Sequence, residues 1–295
     1  TSCFRFLKEV RGKLLQKFSP QNQFSLSPIP PFHGSDFAKA LAIPAKICYN
    51  IRRKPTGRAI AACGAHHRKD TNMSKNILVV GSINMDYVIH TTRLPKLGET
   101  ITGSNFAMNY GGKGANQAVA VAKQGCRTKM LGAVGTDLAG GLAVQNLESF
   151  GVDCSPVFHD EVPTGAAVIT VCGGDNHIIL DVGANACVTP ARIAERRDLF
   201  EWADAVVLQY EISVESVLAA AKLARECGCT VVLNPAPVKE VDPALYGNVD
   251  LIVPNEFEAA LLTGIEVTDR ASAVRALHKL LDMGCCCFSF FMQDF

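Results

Sequence analysis

From Asn76 onward the chain alternates short, fully apolar runs with longer segments of helical spacing. "NILVVGS" is apolar at every position before its glycine, as a strand covered on both faces requires. "GANQAVAVAKQG" places Ala115, Ala118, Val119 and Ala122 on one helical face, and Gly125 closes it. The alternation continues with the strand "KMLGAVG", then "DLAGGLAVQNLESFG", a helix with Asp137 as its cap. The strand "DAVVLQYEI" and the Ser213-capped helix "SVESVLAAAKLARECG" follow. "TVVLNP" and "DLIVPN" read as strands, "EFEAALLTG" and "ASAVRALHKLLDMG" as helices, the last closed by Gly284. This order predicts an α/β fold with a mostly parallel sheet covered on both faces.

Two stretches break the alternation. "GETITGSNFAMNYGG" and "TGAAVITVCGGDNHIILDVGAN" have strand-like spacing with no helix between them, and the second carries a Gly-Gly-Asp-Asn hairpin turn. Strands near 99–110 and 164–182 would then form a small separate sheet. Its natural place is as a lid over the crevice at the strand ends, where open α/β sheets bind ligands. After Gly284 a further strand is due, but residues 285–295 read "CCCFSFFMQDF", so the sheet looks cut there.

Charge separates the front of the chain from the rest. The 295 residues carry a net charge of +1, with no general pull toward nucleic acid, and have no apolar run of membrane-spanning length. Residues 1–72, however, hold thirteen Lys/Arg against Glu9, Asp36 and Asp70, and include the proline cluster "SPIPPF". This reads as a basic, poorly ordered extension. It is either an organelle transit peptide or translated upstream sequence, since Met73 looks like an ordinary start. The protein is accordingly expected in the cytoplasm, or in a plastid or mitochondrion if the extension is a transit peptide. Most of the twelve cysteines stand singly in apolar runs, as small buried hydrophobes in a reducing compartment do. "CGC" and "CCC" lack the spaced pairs of a zinc site.

The glycine-rich loop "GGKGANQ" fails two phosphate-binding patterns. A P-loop needs Ser or Thr after its lysine, and here Lys113 precedes Gly114. The dinucleotide fingerprint needs three spaced glycines after the first strand, and "VVGSINMD" lacks them. An oxidoreductase is therefore disfavoured. Gly112 and Gly114 still allow close backbone approach to a ligand, with Lys113 and Asn116 as polar donors on the same turn; alternatively the glycines only turn the chain. Asn84 and Asp86, two apart in extended chain, point the same way. An amide beside a carboxylate suits vicinal hydroxyls, although the pair also suits a turn. Glu211 follows the strand "VVLQ", and Asn255 and Glu258 follow "LIVP". These polar positions at the carboxyl ends of parallel strands face one crevice.

"GSINMD", "RLPKLGET", "GGKGANQAVA", "VGAN", "LNPAP" and "PNEFEAALLTG", in this order and spacing, resemble the ribokinase-like (PfkB) carbohydrate kinases. The similarity runs from about Asn76 to Gly284, about 70% of the chain. It implies a doubly wound domain over residues 73–284 with a small β-sheet lid through which two subunits pair. It also implies transfer of phosphate from ATP to D-ribose, giving D-ribose 5-phosphate, with Mg²⁺ and a monovalent cation such as K⁺. By the resemblance the glycine loop holds the sugar and not the phosphate. Asn84 and Asp86 would bond the ribose hydroxyls; Gly112, Lys113, Gly114 and Asn116 would close the other side; Glu211 would take a further hydroxyl. Asn255 would lie on the nucleotide side, and Glu258 would organise Mg²⁺ and its waters.

The family's general base is the aspartate of a Gly-Ala-Gly-Asp motif that comes after the point corresponding to Gly284. That motif occurs nowhere in these 295 residues. Base, anion hole, most of the adenine pocket and the monovalent-cation site are thus expected to be missing, and turnover by this chain negligible. Alternative readings are another PfkB sugar or nucleoside kinase, and a non-catalytic sugar-binding or dimerising fragment.

Overall fold

The computed structural model describes residues 75–285 together with 287 and 288; the basic extension and most of the tail lie outside them. The central sheet has seven parallel strands. In chain order they are β1 (Asn76–Val80), β4 (Arg127–Leu131), β6 (Val152–Asp153), β10 (Ala205–Leu208), β11 (Thr230–Leu233), β12 (Leu251–Ile252) and β13 (Cys287–Phe288). Across the sheet they run β13-β12-β11-β10-β1-β4-β6. The tail after Gly284 therefore contributes a two-residue strand beside β12, where the sequence suggested an unpaired end.

Alternate strand residues feed two cores. Ile77, Val79, Met130 and Val207 pack with α1 (Lys113–Lys123) and α2 (Leu138–Ser149). Leu78, Val80, Leu131, Val206 and Leu208 pack on the other side with α3 (Pro190–Ala194), α4 (Arg197–Trp202), α5 (Val214–Glu226), α6 (Glu256–Thr263) and α7 (Arg270–Asp282). Strands buried on both faces explain why the apolar runs do not alternate. From β1 the chain moves one way to β4 and β6, then returns to β10 on the other side of β1. The β1/β10 edge is thus the topological switch point, where the crevice of an open α/β sheet forms.

The lid is a four-stranded sheet in the order β3-β2-β8-β9, built from β2 (Asn84–Thr91), β3 (Ser104–Gly111), β8 (Gly165–Cys172) and β9 (Asp175–Asp181). Gly173 and Gly174 have φ of 62° and 90°, as a two-residue hairpin turn between β8 and β9 needs. Its first strand comes from a segment the sequence presents as the continuation of β1. The chain bends at Gly81–Ile83 and leaves the core sheet for the lid. "KMLGAVG" likewise divides at Gly132 into β4 and β5 (Ala133–Gly135), and β5 pairs with β7 (Phe158–Asp160) in a third, two-stranded sheet. Among the described residues no helix is long and apolar enough to cross a membrane.

Candidate active site

The turn between β3 and α1 lies directly on the bend between β1 and β2. A methyl at Gly114 would fall 2.6 Å from Ser82 N and 2.7 Å from Ser82 O; one at Gly112 would fall 2.8 Å from Ser82 O. Gly112 also has φ 89°, in the left-handed region that favours glycine. Side chains at these positions would push the loop off the strand edge.

No side chain of its own segment caps α1. Its first three amides instead find acceptors from distant strands. Lys113 N–H donates to Glu211 Oε2 at 2.8 Å, Gly114 N–H to Ser82 Oγ at 3.3 Å, and Ala115 N–H to Ser82 O at 2.9 Å. Ser82 Oγ–H in turn donates to Glu211 Oε2 at 2.6 Å. A carboxylate from beyond β10 is thereby held at the positive end of a helix. Among the described residues both of these bonds fall on Oε2.

Asn84 and Asp86 occupy same-facing positions on β2. Asn84 is buried, and its Oδ1 accepts from Asn185 Nδ2 at 2.7 Å. The Asp86 carboxylate lies against the neighbouring strand, where a methyl at Gly111 would fall 2.2 Å from Oδ1. Lys113 and Asn116 are half-buried on the first turn of α1. The structure thus brings Asn84, Asp86, Gly112, Lys113, Gly114, Asn116 and Glu211 to one end of the crevice.

Asn255 and Glu258 stand apart from this group, at β12, three strands from β1 and about 14 Å along the sheet edge at ordinary strand spacing. They form a capping box on α6. Glu258 N–H donates to Asn255 Oδ1 at 2.7 Å, and Asn255 N–H donates to Glu258 Oε2 at 2.9 Å. Asn255 Nδ2 adds a bond to Glu258 Oε1 at 3.2 Å. Glu256 and Glu258 both lie in the first turn of α6. Among the described residues no group of three or more His, Cys, Asp or Glu makes an all-protein cage, which suits Mg²⁺ carried by nucleotide phosphates and waters.

The model of the pfkB family carbohydrate kinases matches residues 74–285. The chain belongs to that family. This pfkB-family chain is 38% identical over 214 residues to ribokinase from Haemophilus influenzae, a match spanning 72% of this chain and 70% of the relative. It is 36% identical over 214 residues to a deoxyribokinase from Salmonella typhimurium, across 71% of this chain and 69% of the relative. A solved structure, that of Arabidopsis thaliana ribokinase complexed with ribose and ATP, matches with a TM-score of 0.68 and 32% identity. That match covers 72% of this chain and 71% of the other.

Two residues of this pfkB-family site escape a sequence reading. Ser82 joins Glu211 to α1, and Asn185 bonds both Ile83 and Asn84. The only local signals are a serine closing an apolar strand and an asparagine inside "VGAN". Between the two ends runs a chain of amides. Gln209 Nε2 donates to Gln117 Oε1 at 2.5 Å, Gln117 Nε2 to Asn234 Oδ1 at 3.4 Å, and Asn234 Nδ2 to Val253 O at 3.0 Å. It crosses from β10 through α1 to β11 and β12, close to Asn255. "CGC" proves structural at its second cysteine: Cys229 is buried, its thiol donates to Phe200 O at 3.0 Å, and burial pushes it up to about 12.

Proposed function

We propose that this chain binds D-ribose between the β1/β10 edge and the lid, for ATP-dependent phosphorylation to D-ribose 5-phosphate. The observation that carries the reading is the convergence on Glu211. Its carboxylate is fixed by Ser82 and by the Lys113 amide, beside two lid residues, Asn84 and Asp86, suited to a polyol. In this reading Asn84 and Asp86 hold neighbouring sugar hydroxyls and Glu211 takes another. Gly112 and Gly114 let the backbone come close, while Lys113 and Asn116 close the pocket. Asn255 would belong to the nucleotide side, and Glu258 would hold Mg²⁺ there through its waters. Mg²⁺, when bound there, would supply charge neutralisation at the transferring phosphoryl group, and the lid would exclude water from it. Phosphoryl transfer depends chiefly on such positioning and electrostatics. We assign proton abstraction and the monovalent cation to no residue of this sequence.

A homodimer through the lid belongs to the same proposal. Strand register puts Met108, Tyr110, Val168 and Ile179 on the lid face opposite Asn84 and Asp86, and all four are exposed, Ile179 to 75%. An apolar face of this kind marks a contact surface. Ile179→Asp should convert a dimer to a monomer in sedimentation; an unchanged mass would remove the lid as the contact.

Calorimetric titration of the chain with ribose, 2-deoxyribose, fructose and adenosine tests the sugar reading, alongside ADP release from MgATP. Saturable binding with ribose preferred is expected. The deoxyribokinase relative makes 2-deoxyribose the sharpest competitor. Preference for adenosine would move the reading to a nucleoside kinase, and no binding of any of the four would sink it.

A further inference from the structure

Asn185 touches none of the proposed sugar positions except through Asn84, yet it is 1% exposed and its amide is fully used. It lies in the short 3-10 turn Gly183–Cys187, where the chain returns from the lid to the core. Its partners lie at the bend where the chain first enters the lid. Ile83 N–H donates to Asn185 Oδ1 at 2.9 Å, and Asn185 Nδ2 donates to Ile83 O at 3.1 Å and to Asn84 Oδ1 at 2.7 Å.

The backbone of Ile83 settles which end of this amide faces where. The Ile83 N–H must meet oxygen, and the Ile83 carbonyl must meet the NH₂ group. Asn185 therefore cannot flip. Its second Nδ2 hydrogen requires an acceptor, so Asn84 turns Oδ1 inward and keeps its own NH₂ for the other side, where no described residue accepts from it. Gly165, paired with Asn84 across the lid, leaves the room. A methyl there would fall 2.2 Å from Asn185 Nδ2 and 2.4 Å from Asn84 Oδ1.

We infer that Asn185 is a positioning residue that fixes Asn84 as a hydrogen-bond donor to the sugar. Polarity at the lid is thereby set: the hydroxyl at Asn84 accepts, while its neighbour at Asp86 donates. This rests on the sugar reading above and adds a direction to it. A sugar lacking the hydroxyl at Asn84 leaves a buried donor unpaired and is rejected for that reason.

The test is calorimetry on the whole chain with ribose and its singly deoxygenated analogues, comparing wild type with Asn185→Asp. The variant still accepts from Ile83 N–H but has no hydrogen for Asn84. Ribose affinity should fall at least tenfold. In wild type, deleting one particular hydroxyl should cost about tenfold, and in the variant that selectivity should shrink to within twofold. Uniform weakening toward every analogue would mark Asn185 as scaffold only and overturn the inference, as would ribose affinity within twofold of wild type. If Asn185→Asp lacks a cooperative melt, Gly165→Ala makes the same test, since its methyl would part the amide pair while the Asn185 Oδ1 that accepts from Ile83 N–H is not among the atoms it meets. Wild type that binds no ribose would overturn the sugar reading and this inference together. Wild type that binds, with an indifferent variant, would overturn the inference alone.

Discussion

At the β1/β10 edge Glu211 takes its hydrogen bonds from Ser82, 129 residues away in the chain, and from the Lys113 amide, 98 away. At the β12 edge Asn255 and Glu258 satisfy each other across three residues. The proposed sugar end therefore exists only once β1, β10, the lid and α1 have met, and its polar groups come from β2, the start of α1 and the end of β10. At the β12 end the capping box spans a single helical turn. A substitution at the first should cost ribose affinity and stability together, and one at the second should cost stability and nucleotide binding while sparing ribose affinity.

The largest break in this contrast is expected from Gly114→Ala. The added methyl meets the backbone of Ser82 and Gly81 at 2.6–2.7 Å, and backbone cannot rotate away. Displacement of the α1 start by an ångström should reduce ribose affinity roughly a hundredfold, and overpacking should cost about 2 kcal/mol. Calorimetry and a urea melt read the two effects. Affinity within threefold of wild type would mean that the loop does not line the sugar pocket.

Glu211→Gln comes next. It keeps shape and an oxygen for Ser82, but it removes the charge that α1 and a sugar hydroxyl would both use. A loss of roughly ten- to hundredfold in ribose affinity is expected, with nucleotide binding unchanged. Equal loss for both ligands would point to a collapsed crevice instead.

Asn255→Ala sharpens the other side. Loss of an N-cap costs about 1 kcal/mol, roughly 2–4 °C in melting temperature for a domain this size, and ribose affinity should stay within twofold. A tenfold fall in ribose affinity would show that the amide chain Gln209–Gln117–Asn234 couples the two ends.

What the sequence reveals follows the same division. Caps at Asp137 and Ser213 and the hairpin at Gly173–Gly174 are decided within a few residues, so they are legible. Asn255 and Glu258 are legible too, although as a capping box they need no ligand to explain them. The departure of β2 from the core is not legible. "NILVVGSINMD" carries no local break signal stronger than one glycine. What ends the first strand is distant: Gly112 and Gly114 pressed on Ser82, and Asn185 pairing with Ile83 across 102 residues. Ser82 and Asn185 stay hidden for that reason. The role of the glycine loop comes from family resemblance, since its spacing alone fits turning the chain as well as approaching a ligand.

Asp137 combines a local bond with a distant one, so it gives the mildest test. It caps α2 through Gly140 N–H at 2.8 Å and reaches 27 residues along the chain to the root of β8. There it accepts from Thr164 N–H at 2.9 Å and Thr164 Oγ–H at 2.6 Å. Burial pushes this carboxyl upward, but the bonds from Thr164 and Gly140 outweigh it and hold the group below its ordinary value. A depressed carboxyl stabilises the fold above its unfolded value, near pH 4, and loses that contribution as pH falls through the folded value. Asp137→Asn keeps a good cap but removes the ionisation and one of the two accepting oxygens, much as protonation does to the wild-type carboxyl at low pH. At pH 7 the variant should be less stable than wild type by a few tenths to about 1 kcal/mol, and the gap should close below about pH 3. Urea midpoints measured from pH 7 to pH 2.5 decide it. A gap that persists at the acid end would trace the effect to lost geometry at the lid root and not to charge.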